Sequence, residues 1–259
     1  MNKKELKEIT ENLIETFYVA GDESIELYKK GLEIQIKEDK SPVSNGDLKV
    51  NAIITKKIRD LTPNIPIISE ETVDINKKNK ENIFWLIDPI DGTKEYIAGK
   101  DEYTLNAALI IDKVPVVGLV GAPKKKQLFY SFGCGDSYII QNNKKIKNDC
   151  TKKTPKGEIV ALTSTSNPSE EIKNVLKKYN VTSFVKMSSS YKFCSIANGE
   201  FDIYAAKERA HEWDYAAGHA VAVHAGAIIK TLEGGSYDYG KEDYKNQSLL
   251  MKRAQNLHD

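Results

Sequence analysis

The sequence has no apolar run near the roughly 20 residues that a membrane-spanning helix needs, so no segment reads as one. Cysteine is scarce: Cys134, Cys150 and Cys194 are the only three in 259 residues, far apart and with no CxxC pair. That odd, scattered set excludes a disulfide framework and a cysteine-based zinc site, and implies reduced thiols in the cytoplasm. Charge of one sign is also lacking. The 38 basic and 37 acidic side chains leave a formal charge of +1, without the basic stripe of a nucleic-acid binder. A nucleic-acid polymer is therefore not expected as a partner. The opening MNKKELKEIT is too charged for a secretory signal. Lysine clusters such as Lys77–Lys78 and Lys124–Lys126 are expected to be solvated loops. Internal repeats and low-complexity tracts are absent. So is a phosphate-binding GxxxxGK[ST] loop, and GCGDSY is no dinucleotide fingerprint.

The chain is long enough for one large domain or two modest ones. Leu6, Ile9, Leu13, Ile14, Phe17, Ala20 and Ile25 lie near helical spacing and predict a long amphipathic first helix. A second helix follows, capped by Ser44 or Asn45 and carrying Leu48, Val50, Ile53, Ile54 and Ile58. From Pro66 to Ile140 short β-rich runs take over, at Ile67–Ser69, Ile83–Ile87, Thr104–Ile111, Val114–Val120 and Leu128–Ser131. Turns such as Asp112–Lys113 separate them, which predicts a largely antiparallel meander. The polar stretch QNNKKIKNDCTKKTPKGE marks a domain boundary. Beyond it strand and helix alternate: strands at Glu158–Leu162, Ser183–Lys186 and Phe201–Tyr204, and helices near Pro168–Tyr179, Ser190–Ala197 and Glu212–Ala225. This is the pattern of a small α/β domain.

Four carboxylates stand where a strand or helix end meets a turn. Glu70 follows PIIS, Asp88 closes FWLI, Asp91 sits three residues on, and Asp214 opens the helix EWDYAAGHAVAVHAG. Singly, each is explained as a turn residue or a helix cap. Together they form a set of hard oxygen donors of the kind that suits Mg²⁺, which usually leaves room for a substrate phosphate. Pro89 stiffens the turn and Gly92 permits close backbone approach. A helix starting at Gly92–Thr93 would aim free N–H groups at an anion. Other metal motifs fail: Pro89 and Ile90 break an EF-hand loop, and HExxH would need histidine where Tyr215 stands. His224 is expected to be structural or at the surface, whereas His219, one turn inside its helix, has a more open role.

DPIDGT (Asp88–Thr93) and WDYAAGH (Trp213–His219), with ISEE (Ile68–Glu71) and SPVSNGD (Ser41–Asp47) upstream, resemble the signatures of the lithium-sensitive, Mg²⁺-dependent inositol monophosphatase superfamily. Order and spacing fit from the first helix to about Ile228. GTKEY, EYTLNAALI and SSSYKFCSIANGEFDIY resemble the bacterial 3'(2'),5'-bisphosphate nucleotidases within it. The resemblance implies an αβαβα layered sandwich of the sugar-phosphatase type, α+β joined to α/β. Residues 1–150 would form an α+β domain with most metal ligands, and residues 151–259 an α/β domain supplying Asp214 and the substrate pocket. It implies further that Glu70, Asp88, the Ile90 carbonyl, Asp91 and Asp214 hold two or three Mg²⁺ ions. Asp47 and Thr93 would form a hydrogen-bonded pair that orients a metal-activated water for in-line attack on phosphorus. Glu70, Ile90, Asp91, Gly92, Thr93 and Asp214 would also meet the substrate. Ser190 would line its pocket, and Lys192 would supply a partly exposed contact to phosphate.

The expected activity is removal of the 3'-phosphate of adenosine 3',5'-bisphosphate, a by-product of sulfate assimilation, to give AMP. The partner is thus a small phosphorylated molecule. A homodimer is common among relatives, and the cytoplasmic assignment leaves room for peripheral contact with the inner membrane. The chain departs from the nucleotidase pattern in two places. TSTSN (Thr163–Asn167) stands where relatives often carry S-R-S-H, and Ala205–Ala206 where they often carry Pro-Arg. An arginine and a histidine for the nucleotide are thus missing, with Lys192, Lys207 and Arg209 as candidate replacements. The same chemistry on inositol monophosphate or another polyol phosphate is the nearest alternative. A non-catalytic metal- or nucleotide-binding regulator is a further one. An aspartyl-phosphate hydrolase needs D-x-D, which the spacing of Asp88 and Asp91 does not provide.

Overall fold

The computed structural model describes residues 1–75, 81–151 and 158–253. The first helix, α1 (Lys3–Lys30), starts where the sequence places a reciprocal cap. Asn2 Oδ1 accepts from the N–H groups of Lys4 and Glu5 at 2.9 and 3.0 Å, and the Asn2 N–H donates back to Glu5 Oε2 at 2.8 Å. Such a box satisfies end groups that the helix itself cannot. After the short β1 (Ile34–Ile36) and β2 (Pro42–Ser44), α2 (Asn45–Leu61) begins on a second box made by Ser44 and Asp47.

Seven strands follow: β3 (Ile67–Ser69), β4 (Ile83–Asp91), β5 (Thr104–Ile111), β6 (Val114–Ala122), β7 (Gln127–Ser131), β8 (Ser137–Gln141) and β9 (Lys144–Lys147), with α3 (Thr93–Ile97) between β4 and β5. They form one sheet in sequence order. Only the β3–β4 pair is parallel; the rest is the expected meander. The polar boundary stretch is not simply a linker, because its first part supplies β9. Its residues 152–157 lie outside the described residues, as do Lys77–Lys78. The Lys124–Lys126 run is less solvated than expected: Lys124 and Lys125 lie over the rings of Tyr28 and Tyr191 at 4.8 and 5.0 Å.

The second sheet contains β10 (Val160–Thr163), β11 (Ser183–Lys186), β12 (Ile203–Ala206), β13 (Ala227–Lys230) and β14 (Leu249–Arg253). Its order is β11-β10-β12-β14-β13, with β11 at an edge. Helices α4 (Glu170–Lys177), α5 (Tyr191–Ala197) and α6 (Glu212–His224) accompany it.

Strand periodicity explains the layers. Along β4, Trp85 and Ile87 join Leu13, Phe17, Val50 and Ile54 of α1 and α2. Phe84 and Leu86 face the other way, into a cluster with Phe193 of α5, Ala217 and Val221 of α6, and Tyr204 and Met251 of the second sheet. Successive side chains on a strand point to opposite faces, so a strand buried on both sides reads as one apolar run. Ile172 and Leu176 of α4 cover the outer face of the second sheet against Ala161, Ile203 and Ala205. The order is helix, sheet, helix, sheet, helix. Full burial of one such side chain contributes about 1.5–3 kcal/mol, which makes the middle layer a major source of cohesion. Its close fit depends on Gly118: a Cβ there would come within 2.4 Å of the Ala217 carbonyl oxygen.

Candidate active site

β4 does not stop at Ile87, as its apolar run suggests, but continues through Asp88 to Asp91. Its pairing with β5 goes from Asp88↔Asn106 to Asp91↔Thr104, three steps on one strand against two on the other. That extra residue is a β-bulge. In a regular strand, positions three apart face opposite sides. The bulge cancels the mismatch and lets both carboxylates serve one side, while Ile90 remains buried with α2. Gly92 then turns the chain at φ +92°, a left-handed conformation that favours glycine, and α3 begins at Thr93.

Around this turn the fold collects acids from three elements. Glu70 follows β3, Asp88 lies in β4, and Asp214 sits in the first turn of α6. One oxygen from each of the three lies within 4.8 Å of the others. Asp88 is 1% exposed, yet neither of its oxygens receives a hydrogen bond from an N–H group or a neutral hydroxyl. Asp214 can bond to it only as a carboxylic acid sharing a proton. Burial, then Glu70, Asp91 and Asp214, push the Asp88 carboxyl well above its usual range. Burial and then Asp91 push Asp214 up to about 8. Burial also lifts Asp91, to about 6, against the opposing pull of Lys192, the Ser190 N–H and Arg209. Buried carboxylate oxygens without a donor and crowded by like charge are a site that a cation would satisfy. This donor set, all oxygen, fits Mg²⁺.

The second cluster is Asp47 with Thr93. Asp47 is buried, and its Oδ2 accepts from the Ser44 N–H and hydroxyl at 2.8 and 2.6 Å. Its Oδ1 remains for the Thr93 hydroxyl, 3.1 Å away, which also lies 3.2 Å from the Ile90 carbonyl oxygen. One hydroxyl proton serves only one of these acceptors at a time. Burial raises the Asp47 carboxyl despite the two Ser44 bonds.

A cavity of about 290 Å³ opens beside the acids, bordered by Asp91, Gly92, Glu95 and Asp214 and by Lys186, Ser188, Lys192 and Arg209. Two predicted substrate contacts differ from expectation. Lys192 is 5% exposed, not partly open; its Nζ donates to the Ser189 carbonyl and lies 5.4 Å from the Tyr204 ring centre. Ser190 does not present its hydroxyl to the cavity. That hydroxyl bonds Asn106 Oδ1 at 2.6 Å and Thr104 Oγ1 at 2.9 Å, while the Ser190 N–H donates to Asp91. The cavity is faced instead by Ser188 and Ser189.

Lys37, which the sequence does not single out, bridges Glu70 at 3.1 Å and Glu71 at 3.0 Å. Burial, then Glu70, raises Glu71 to about 7 despite that lysine. Ser44 was visible only as a helix cap, yet it also fixes Asp47. His219 is structural: its Nδ1 is 2.9 Å from the Tyr239 hydroxyl, and burial lowers it to about 3. His224 accepts from the Gly133 N–H at 3.3 Å. The three cysteines are free thiols, as expected.

Comparison with known proteins gives a consistent result. The inositol monophosphatase family matches residues 5–259. The 3'(2'),5'-bisphosphate nucleotidase CysQ of Buchnera aphidicola is 36% identical over 225 residues, covering 85% of this chain and 83% of the relative. That of Salmonella typhimurium is 33% identical, covering 85% and 89%. Among solved structures, CysQ from Bacteroides thetaiotaomicron, described as a bacterial member of the family, aligns with a TM-score of 0.78 at 26% identity, covering 93% of this chain and 96% of that one.

Proposed function

The chain belongs to the inositol monophosphatase family, and from that premise we propose that it is a Mg²⁺-dependent 3'(2'),5'-bisphosphate nucleotidase. It hydrolyses the 3'-phosphate of adenosine 3',5'-bisphosphate to give AMP and phosphate. The names of its relatives support the substrate. One structural observation carries the chemistry: the buried, donorless carboxylate of Asp88, with Glu70 and Asp214 around it, beside a cavity that Lys186, Lys192 and Arg209 help to line. Glu70, Asp88, Asp91, Asp214 and the Ile90 carbonyl are the residues that would hold two or three Mg²⁺ ions. When bound, such ions neutralise phosphate charge, favour an ionised nucleophile and stabilise the leaving oxygen.

The chain's own residues do the rest. Ser44 pins one oxygen of Asp47 and leaves the other for Thr93. With its proton committed to Asp47, the Thr93 hydroxyl offers only lone pairs to the cavity. It therefore accepts a hydrogen bond from the attacking water, which turns the water's own lone pair toward phosphorus. As the water attacks, its proton passes to Thr93 Oγ1 while the Thr93 hydroxyl proton passes to Asp47 Oδ1, and the raised affinity of Asp47 for a proton suits the role. The Ser190 N–H fixes Asp91, and Lys192 offers positive charge to the substrate. Among the described residues no helix is long and apolar enough to cross a membrane. The proposed setting is the cytoplasm, and the proposed assembly a homodimer.

The reading is tested by phosphate release from adenosine 3',5'-bisphosphate after chelation and on Mg²⁺ titration. Release restored by Mg²⁺ supports it. Chelator-resistant release, or none with any monoester, would contradict it and favour a binding protein.

A further inference from the structure

The 290 Å³ cavity is lined by charges of both signs. Asp91, Glu95 and Asp214 supply the negative ones. Besides Lys192, the positive ones are Lys186, the last residue of edge strand β11, and Arg209, in the turn between β12 and α6. Among the described residues, neither side chain has an ion-pair partner. Lys207, two residues before Arg209, differs: its ammonium is engaged by Glu171. A second cavity, of about 190 Å³, lies alongside, and Ser164 and Arg209 border both. Ala205 and Ala206, at the end of β12, line this smaller space.

Arg209 thus stands at the partition between two spaces, exposed and uncommitted. A guanidinium offers a planar fork of donors suited to phosphate, which an ammonium does not match. We propose that Arg209, assisted by Lys186, holds the second phosphate of the bisphosphate substrate, in place of the arginine absent at position 206. The assignment rests on the bisphosphate reading and adds to it the residues that distinguish a bisphosphate from a monophosphate. The first phosphate would sit with the acids that would hold Mg²⁺; the second meets Arg209 and Lys186, whose side chains have no ion-pair partner among the described residues.

The test compares adenosine 3',5'-bisphosphate with adenosine 3'-monophosphate in wild type, Arg209→Ala, Arg209→Lys and Lys186→Ala, all with Mg²⁺. Arg209→Ala raises KM for the bisphosphate about tenfold or more, the scale of one lost charge-assisted contact, with kcat retained. The shift for the monophosphate is much smaller. Arg209→Lys recovers part of the loss, and Lys186→Ala gives a weaker version of it. Calorimetric binding of adenosine 5'-monophosphate to metal-free protein weakens in step. Equal KM shifts for both substrates, or none for either, in a wild type that prefers the bisphosphate would overturn the Arg209 assignment alone. A wild type without that preference overturns the bisphosphate reading and this assignment with it.

Discussion

Removing divalent metal makes folding stability pH-dependent in a direction that the acid cluster dictates. A carboxyl whose pKa is raised by folding binds its proton more tightly in the folded state. Its contribution is most favourable below the unfolded value and is lost as pH climbs to the folded one. For Asp214 that window runs from 3.8 to about 8, and for Asp91 from 3.8 to about 6. Glu71 adds to the fall up to about 7. Between pH 6 and 8, Asp214 by itself contributes a slope of at most about 1.4 kcal/mol per pH unit, and Glu71 adds to it below about pH 7. Its side chain borders an open cavity, and solvent screening reduces the total to about 2 kcal/mol. Mg²⁺ bound at a hundredfold excess over its Kd restores about 2.7 kcal/mol. Urea denaturation at pH 6 and pH 8, with chelator or with Mg²⁺, measures both quantities. Chelated protein should be less stable at pH 8, and Mg²⁺ should stabilise it more there than at pH 6. Asp91→Asn removes the largest like-charge push on Asp214, so it should flatten the slope and stabilise the chelated protein at pH 8 while abolishing turnover. Chelated stability that is level or rises from pH 6 to pH 8 would refute the electrostatic account of the cluster.

Other consequences are equally direct. Thr93→Ala should lower kcat by about 10²–10⁴-fold with Mg²⁺ affinity retained. Asp47→Ala should act through the same unit, so the double variant should lose far less than the product of the two; multiplicative losses would separate them. Glu212 is fully buried, accepts from the Gly240 and Lys241 N–H groups and pairs with the Lys241 ammonium. Glu212→Ala should therefore cost about 3 kcal/mol in urea denaturation, and a loss below half of that would show that the pair is replaceable. Lithium should inhibit turnover at activating Mg²⁺ concentrations, as the family resemblance implies; indifference would set this chain apart.

The sequence made the layers largely legible because amphipathic helices and turn-separated strands carry their own periodicities. It was less informative where burial is two-sided. Phe84 to Ile87 read as one apolar run and gave no clue that Trp85 faces α1 and α2 while Leu86 faces α6. The bulge was hidden for a related reason: Asp88 and Asp91 look like residues after a strand, and only pairing with Asn106 and Thr104 reveals them inside it. Strands β13 and β14 went unforeseen because their positions are set by partners distant in sequence. The acids themselves were recognisable from their motifs. What their motifs did not carry was direction: Ser190 turns its hydroxyl to Asn106, and Lys192 is buried under the loop that holds its ammonium. Lys37 left no signal, since a lysine near an exposed strand is ordinary until Glu70 and Glu71 meet it.

The central claim joins an acid cluster suited to Mg²⁺ to a cavity lined in part by Lys186 and Arg209, and so to a substrate with two phosphates. The measurement that tests it most directly is the ratio of kcat/KM for adenosine 3',5'-bisphosphate to that for inositol monophosphate, at saturating Mg²⁺ and matched ionic strength. The account predicts a ratio well above one that shrinks as salt screens these cations. A ratio below one would contradict the nucleotidase assignment and make a polyol phosphate the substrate of the same acidic site.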